Sequence, residues 1–81
     1  MVSIDYHPDF KKAFQKFDKS VKKRLKKLFI KIINNPEIGK PMRYERKNTR
    51  ELYVKPFRLS YAYLKEENKI VILDLYHKKK Q

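Results

Sequence analysis

Tyr53, Lys55, Arg58, Ser60 and His77 are the residues whose types and spacing could do chemistry together. They lie within the stretch Arg50 to Lys80, RELYVKPFRLSYAYLKEENKIVILDLYHKKK. A guanidinium and an ammonium group attract anions and stabilise charge that grows on one. A His, with an ordinary pKa of about 6.5, exchanges protons near neutral pH. A Tyr can hydrogen-bond or stack on a flat partner. Tyr53, Lys55, Arg58 and Ser60 fall out of step with the apolar residues beside them, and His77 is expected to join them from the last strand, which predicts one polar, cationic face. Arg58 has a second reading, an ion pair to an acid such as Glu51, because opposite charges commonly pair across strands.

The elements that must position this face follow from periodicity. Leu52, Val54, Phe57, Leu59, Tyr61 and Tyr63 form one apolar set. Ile70, Val71, Ile72, Leu73 and Leu75 form another. β-branched and aromatic residues at period two fit a pleated surface with one packed side. The stretch therefore predicts three adjacent strands, the last two joined through Glu66-Glu67-Asn68 as a hairpin. Everything upstream reads as the cover of the opposite face.

Val2 to Tyr6 alternates as a short strand. His7-Pro8-Asp9 then starts a helix, with Pro at the first position and an acid in the first turn. His7 reads as a helix-start residue rather than a ligand. Phe10, Ala13, Phe14 and Phe17 make one apolar stripe. Asp18 or Ser20 can cap a second helix. Its apolar face is Val21, Leu25, Leu28, Phe29, Ile32 and Ile33, and Asn34-Asn35-Pro36 stops it. So short a link predicts an antiparallel helix hairpin.

The outer face of the second helix carries Lys22, Lys23, Arg24, Lys26, Lys27 and Lys31 with no acid. It reads either as solvated surface or as a phosphate-contacting face, through residues such as Lys22 and Lys26. Like charges one turn apart oppose helix formation. The loop from Pro36 to Thr49 adds Lys40, Arg43, Arg46 and Lys47, and Met42 with Tyr44 suggests a short edge strand.

Composition sets the outer bounds. An 81-residue chain predicts one domain, residues 1–81, with one modest core. Hydrophobic residues at 41% argue for a folded domain despite the charge. There is no Cys, so neither a disulfide nor a thiolate metal site supports the fold. No apolar run approaches the roughly 20 residues of a membrane span. The opening MVSIDYHPDF does not read as a signal peptide, and the expectation is a cytoplasmic protein. Lys+Arg at 22 against Asp+Glu at 9 gives a net charge of +13. Such a field attracts polyanions. Nucleic acid, the ribosome, an anionic membrane and an acidic protein are all candidates on that ground.

The order of elements resembles the RelE/ParE superfamily of toxins from toxin–antitoxin pairs. Asn35-Pro36-Glu37-Ile38-Gly39-Lys40-Pro41-Met42-Arg43 resembles the family's helix-end segment and loop. Phe57-Arg58-Leu59-Ser60-Tyr61 resembles its aromatic-Arg-Leu-x-Tyr strand, and Asp74-Leu75-Tyr76-His77-Lys78 its closing strand. The resemblance implies an α+β fold: an N-terminal strand and antiparallel helix hairpin packed on a small, curled, mainly antiparallel sheet. It implies an acidic antitoxin as partner. In the RelE branch it implies a metal-independent, ribosome-dependent endoribonuclease acting on mRNA, with no cofactor and no membrane. In the ParE branch it implies a gyrase inhibitor without enzymatic activity. A third reading is a basic domain that only binds RNA or its antitoxin.

Carried over residue by residue, the resemblance makes Arg58 the phosphate-stabilising cation. It makes His77 an acid or base and Lys78 a second cation. Lys55 and Arg43 become phosphate contacts. Tyr53 stands where relatives commonly place Arg or Lys and can stack or hydrogen-bond instead. Tyr76 replaces a Gly, and no Tyr follows Lys78.

Overall fold

The computed structural model describes residues 2–41 and 48–77. Strand β1 spans Ser3–Tyr6 and helix α1 spans Pro8–Lys16. His7 caps α1, its ring nitrogen Nδ1 accepting from the Asp9 amide at 3.1 Å. Helix α2 spans Lys19–Asn34. The Asp18 carboxylate caps it, accepting from the Val21 amide at 2.9 Å and from the Ser20 hydroxyl at 2.8 Å. Those donors hold the Asp18 carboxyl below its ordinary value. Four strands follow: β2 (Lys40–Pro41), β3 (Thr49–Val54), β4 (Phe57–Leu64) and β5 (Lys69–His77).

The strands form one open sheet in the order β1-β5-β4-β3-β2. Only β1 runs parallel to its neighbour; the other pairs are antiparallel. The three strands expected from the last third are the adjacent trio β3-β4-β5. A single turn of 3-10 helix, Lys65–Glu67, joins β4 to β5. Asn68 follows it at φ 53°, a left-handed value that Asn tolerates.

The two helices cover one face of the sheet. Phe10, Leu25, Phe29 and Ile32 meet Leu59, Tyr61, Ile70, Ile72 and Leu75 in one buried core, with Phe14 packed at its border. Tyr6, Phe10, Phe14 and Phe29 form a ring cluster, with centroids 5.5 to 6.5 Å apart where they pair. Edge and tilted ring contacts at this spacing add to the area they bury. The cluster joins β1, α1 and α2. Among the described residues no helix is long and apolar enough to cross a membrane.

One irregularity decides which residues face away from the helices. Along β4, Ser60 and Tyr61 are consecutive, yet their partners on β5 are Asp74 and Ile72. Leu73 is therefore an extra residue, and such a bulge shifts the facing of everything beyond it by one. Ile72 and Leu75 both enter the core as a result.

Candidate functional site

The register of β3, β4 and β5 builds a polar row on the face away from the helices. Tyr53 lies opposite Arg58, and Glu51 opposite Ser60. On the other flank Tyr76 lies opposite Arg58, and Asp74 opposite Ser60. Leu52, Leu59 and Leu75, one step out of phase, pack into the core. Arg58 Nη1 donates to Glu51 Oε1 at 3.1 Å, the two side chains being 31% and 17% exposed. The Tyr76 hydroxyl donates to the other carboxylate oxygen, Glu51 Oε2. A guanidinium, a carboxylate and a phenol thus meet at one point. Within this row Ser60 is buried and Tyr53 is half-exposed.

Of the two readings of Arg58, the ion pair to Glu51 is the arrangement present. Arg58 is therefore half-neutralised rather than a bare cation. The guanidinium carries five N–H donors, so it can hold Glu51 and a second acceptor together. Chemically, the cluster offers a proton acceptor, an anion-stabilising fork and a phenolic donor within hydrogen-bond reach of each other.

Of the remaining sequence candidates, Lys55, Lys22 and Lys26 are described and do not gather around it. Lys55 is exposed in the β3–β4 turn, where its carbonyl accepts from Arg24 Nη2 at 2.7 Å. That bond ties α2 to the turn. Lys22 stands with its ammonium 5.7 Å from the Phe14 ring centroid, a cation–π contact on the helix side. Lys26 lies beside the aromatic cluster on the same side. Neither shares a face with Arg58. His77 ends β5 with its backbone opposite Phe57, in the row of Leu75 and Leu59, one step out of phase with Arg58. The side chain of His77 lies outside the described residues, as do Arg43, Lys78 and the edge strand expected at Met42 and Tyr44. The strand described at that edge is Lys40–Pro41. Among the described residues no three His, Cys, Asp or Glu side chains converge as metal ligands.

Sequence reasoning missed a clamp behind the site. Tyr61, read as an apolar strand residue, is fully buried. Its hydroxyl accepts from the Gly39 amide at 2.9 Å and donates to the Pro36 carbonyl at 2.8 Å. Burial pushes its phenol pKa up, opposed in part by the Gly39 amide. Arg50 completes the clamp, donating to the Glu37 and Gly39 carbonyls at 3.0 and 2.7 Å. A Cβ on Gly39 would come within 2.8 Å of the Tyr61 hydroxyl and 3.1 Å of the Glu51 carbonyl. The residue must be Gly for the loop to lie this close. The clamp delivers Lys40 opposite Glu51, so it seats β2 against the strand that carries the carboxylate. The cue available in the sequence was a lone Gly between two Pro residues, Pro36 and Pro41.

Comparison with known proteins places this geometry. No curated protein matches the sequence significantly. Among solved structures, the isolated E. coli RelE toxin superposes with a TM-score of 0.82 at 17% identity, covering 95% of this chain and 84% of that one. The RelBE2 toxin–antitoxin complex from Mycobacterium tuberculosis gives 0.83 at 22% identity, covering 95% and 98%. The archaeal RelE–RelB complex from Pyrococcus horikoshii gives 0.71 at 16% identity, covering 99% and 98%. At these identities the likeness establishes the fold, two helices on a five-stranded mixed sheet. A family model described as the ParE toxin of type II toxin–antitoxin systems matches residues 4–81. The chain thus belongs to the ParE toxin family of type II toxin–antitoxin systems, within the RelE/ParE superfamily.

Proposed function

We propose that this toxin is a ribosome-dependent, metal-independent mRNA endoribonuclease held in check by an acidic antitoxin. The observation that carries the reading is the Glu51–Arg58–Tyr76 cluster on the helix-free face. In the reaction the ribose 2′-oxygen attacks the adjacent phosphorus, the P–O5′ bond breaks, and a 2′,3′-cyclic phosphate forms. One proton leaves the 2′-OH and another reaches the departing 5′ oxygen. Only RNA offers that nucleophile.

Each role has a candidate. Glu51 takes the 2′-OH proton, since it is the carboxylate in the cluster. Arg58 binds the phosphate as its charge grows, using the donors that Glu51 leaves. Tyr76 and Tyr53 flank Arg58 and orient the message by hydrogen bonding and stacking. The family resemblance makes His77 an acid or base and Lys78 a second cation. Lys55 and Arg43 contact neighbouring phosphates, and Lys22 and Lys26 lie on the far side of the sheet, where they can meet ribosomal RNA but not the scissile bond.

Support for an antitoxin partner comes from the family membership and from the +13 charge, which favours an acidic protein. A second reading is gyrase inhibition, favoured by one observation: the matching family model is that of ParE. One experiment separates them. The protein is expressed without antitoxin, and both message ends and DNA supercoiling are mapped. Ribosome-dependent ends carrying cyclic phosphate support the nuclease. Altered supercoiling with intact messages supports the gyrase reading instead.

A further inference from the structure

The polar row of the site lies close to the end of its strands. Counting from the β3–β4 turn, the first rung is Val54 opposite Phe57, with His77 on the other flank of Phe57. The second rung is Tyr53, Arg58 and Tyr76. The ends of a strand ladder open more readily than its middle. The chemistry of the row tolerates little such movement, since a misplacement of about 1 Å can cost about 100-fold in rate. Two contacts from the helix layer hold this end. Phe17, the residue after the last turn of α1, packs on Phe57 with ring centroids 6.4 Å apart. Arg24, inside α2, donates from Nη2 to the Lys55 carbonyl of the turn at 2.7 Å. A charged donor makes the stronger class of hydrogen bond. On the same helix Lys22 and Lys26 lie at the aromatic cluster, whereas Arg24 reaches the end of the sheet.

We propose that Arg24 is a positioning residue for the site on the opposite face of the sheet. By tying the β3–β4 turn to α2 it fixes where Tyr53 and Arg58 stand relative to Glu51 and Tyr76. It touches neither the message nor the reacting atoms, and it acts through the backbone of Lys55. The inference rests on the reading of the Glu51–Arg58–Tyr76 face as an RNA-cleaving site, and it adds a residue from the helix layer to that machinery. It also divides the basic face of α2. Lys22 and Lys26 present charge, while Arg24 spends one of its donors on the fold.

The test uses the intact chain and takes two readouts on each variant, once native circular dichroism is verified. Arg24 and Lys23 are both exposed, so both variants should fold. The first readout needs no RNA: amide hydrogen exchange by NMR across residues 52–59. Arg24→Ala should speed this exchange about 3- to 10-fold, the change expected when one hydrogen bond no longer opposes opening. Lys23→Ala, which removes the same charge from the same helix, should leave it unchanged. The second readout is single-turnover cleavage of a message on ribosomes, taken as the rate at saturation and the half-saturating ribosome concentration. Arg24→Ala should lose about 10-fold or more of the saturating rate. Its half-saturating concentration should stay within about twofold of that of Lys23→Ala. Arg24→Lys, which keeps a donor on a long stem, should recover part of both losses. Unchanged exchange in Arg24→Ala overturns the tie and the inference with it. Faster exchange with an unchanged saturating rate means that the turn does not govern the chemistry, and overturns the inference too. A raised half-saturating concentration with an unchanged saturating rate makes Arg24 a ribosome contact and does the same. No cleavage by the unmutated protein overturns the functional reading and this inference together, whereas any of the three preceding results in a protein that cleaves overturns the inference alone.

Discussion

Replacing Tyr61 by Phe removes one oxygen atom and leaves the ring in place, so no cavity opens in the core. What it removes is the clamp on the Pro36–Gly39 segment. The Gly39 amide, which donates to Tyr61 at a buried site, loses its acceptor. A buried donor left without a partner costs about 1–3 kcal/mol. The Pro36 carbonyl is only part-buried and can turn to water, so its loss adds little. The expected destabilisation is about 2 kcal/mol, and for a domain of this size 1 kcal/mol moves Tm by about 4–8 °C. Tyr61→Phe should therefore melt roughly 10 °C below the unmutated protein in a thermal scan followed by circular dichroism. The pH dependence gives a second check. Because burial raises the Tyr61 pKa above its ordinary 10.0, the folded protein keeps a proton that the unfolded chain releases. That contribution is fully present below pH 10 and is lost as pH rises toward the folded value. Tyr61→Phe should lose less stability than the unmutated protein on going to strongly alkaline pH; Tyr6, raised for the same reason, retains a share in both. A Tm within about 2 °C of the unmutated protein would mean that the hydroxyl holds nothing, and the clamp would be wrong.

Three further outcomes follow from the same geometry. Gly39→Ala should destabilise by about 1–3 kcal/mol, since the new methyl group meets the Tyr61 hydroxyl and the Glu51 carbonyl; urea denaturation reads it. Asp18→Ala should lower Tm at neutral pH by removing the cap of α2, and the difference from the unmutated protein should shrink in acid. Donors hold the Asp18 pKa below 3.8, so its contribution is present above that pH and lost as pH falls below it. Association with an acidic partner should slow steeply as salt rises from low to physiological strength, as stopped-flow mixing would show; a rate insensitive to salt would contradict the electrostatic account.

The helical half of the fold was legible because its signals are local. Pro8, Asp18 and Asn35 mark helix ends by their own local chemistry, and the apolar stripes run at an unbroken helical period. The strands were legible as a hydrophobic pattern, and the core of Leu25, Leu59 and Ile72 follows from it. The site was legible only in part. Arg58 and Tyr53 stand on one face because β3 and β4 pair without interruption. On β5 the extra residue Leu73 reverses the alternation, which puts Tyr76 opposite Arg58 and His77 opposite Phe57. A period-two reading that starts from Ile70 and Ile72 cannot see that reversal, because it depends on pairing with Ser60 and Tyr61. The Tyr61 clamp was hidden for a different reason. A Tyr in an apolar row looks like bulk, and only the chain fold brings Gly39 to its hydroxyl.

The most direct test of the functional account is single-turnover cleavage of a message positioned on ribosomes, with divalent metal held constant. Arg58 meets charge that develops on the phosphate in the transition state, and removing one such donor costs about 100- to 1,000-fold in rate. Glu51→Gln should fall by a comparable factor if Glu51 is the base. Both substitutions lie off the core, so circular dichroism should be unchanged. The account predicts that the unmutated protein cuts the message to a 2′,3′-cyclic phosphate and that folded Arg58→Ala loses about 100-fold or more of that rate. Full activity in folded Arg58→Ala, or no cleavage by the unmutated protein, would contradict it.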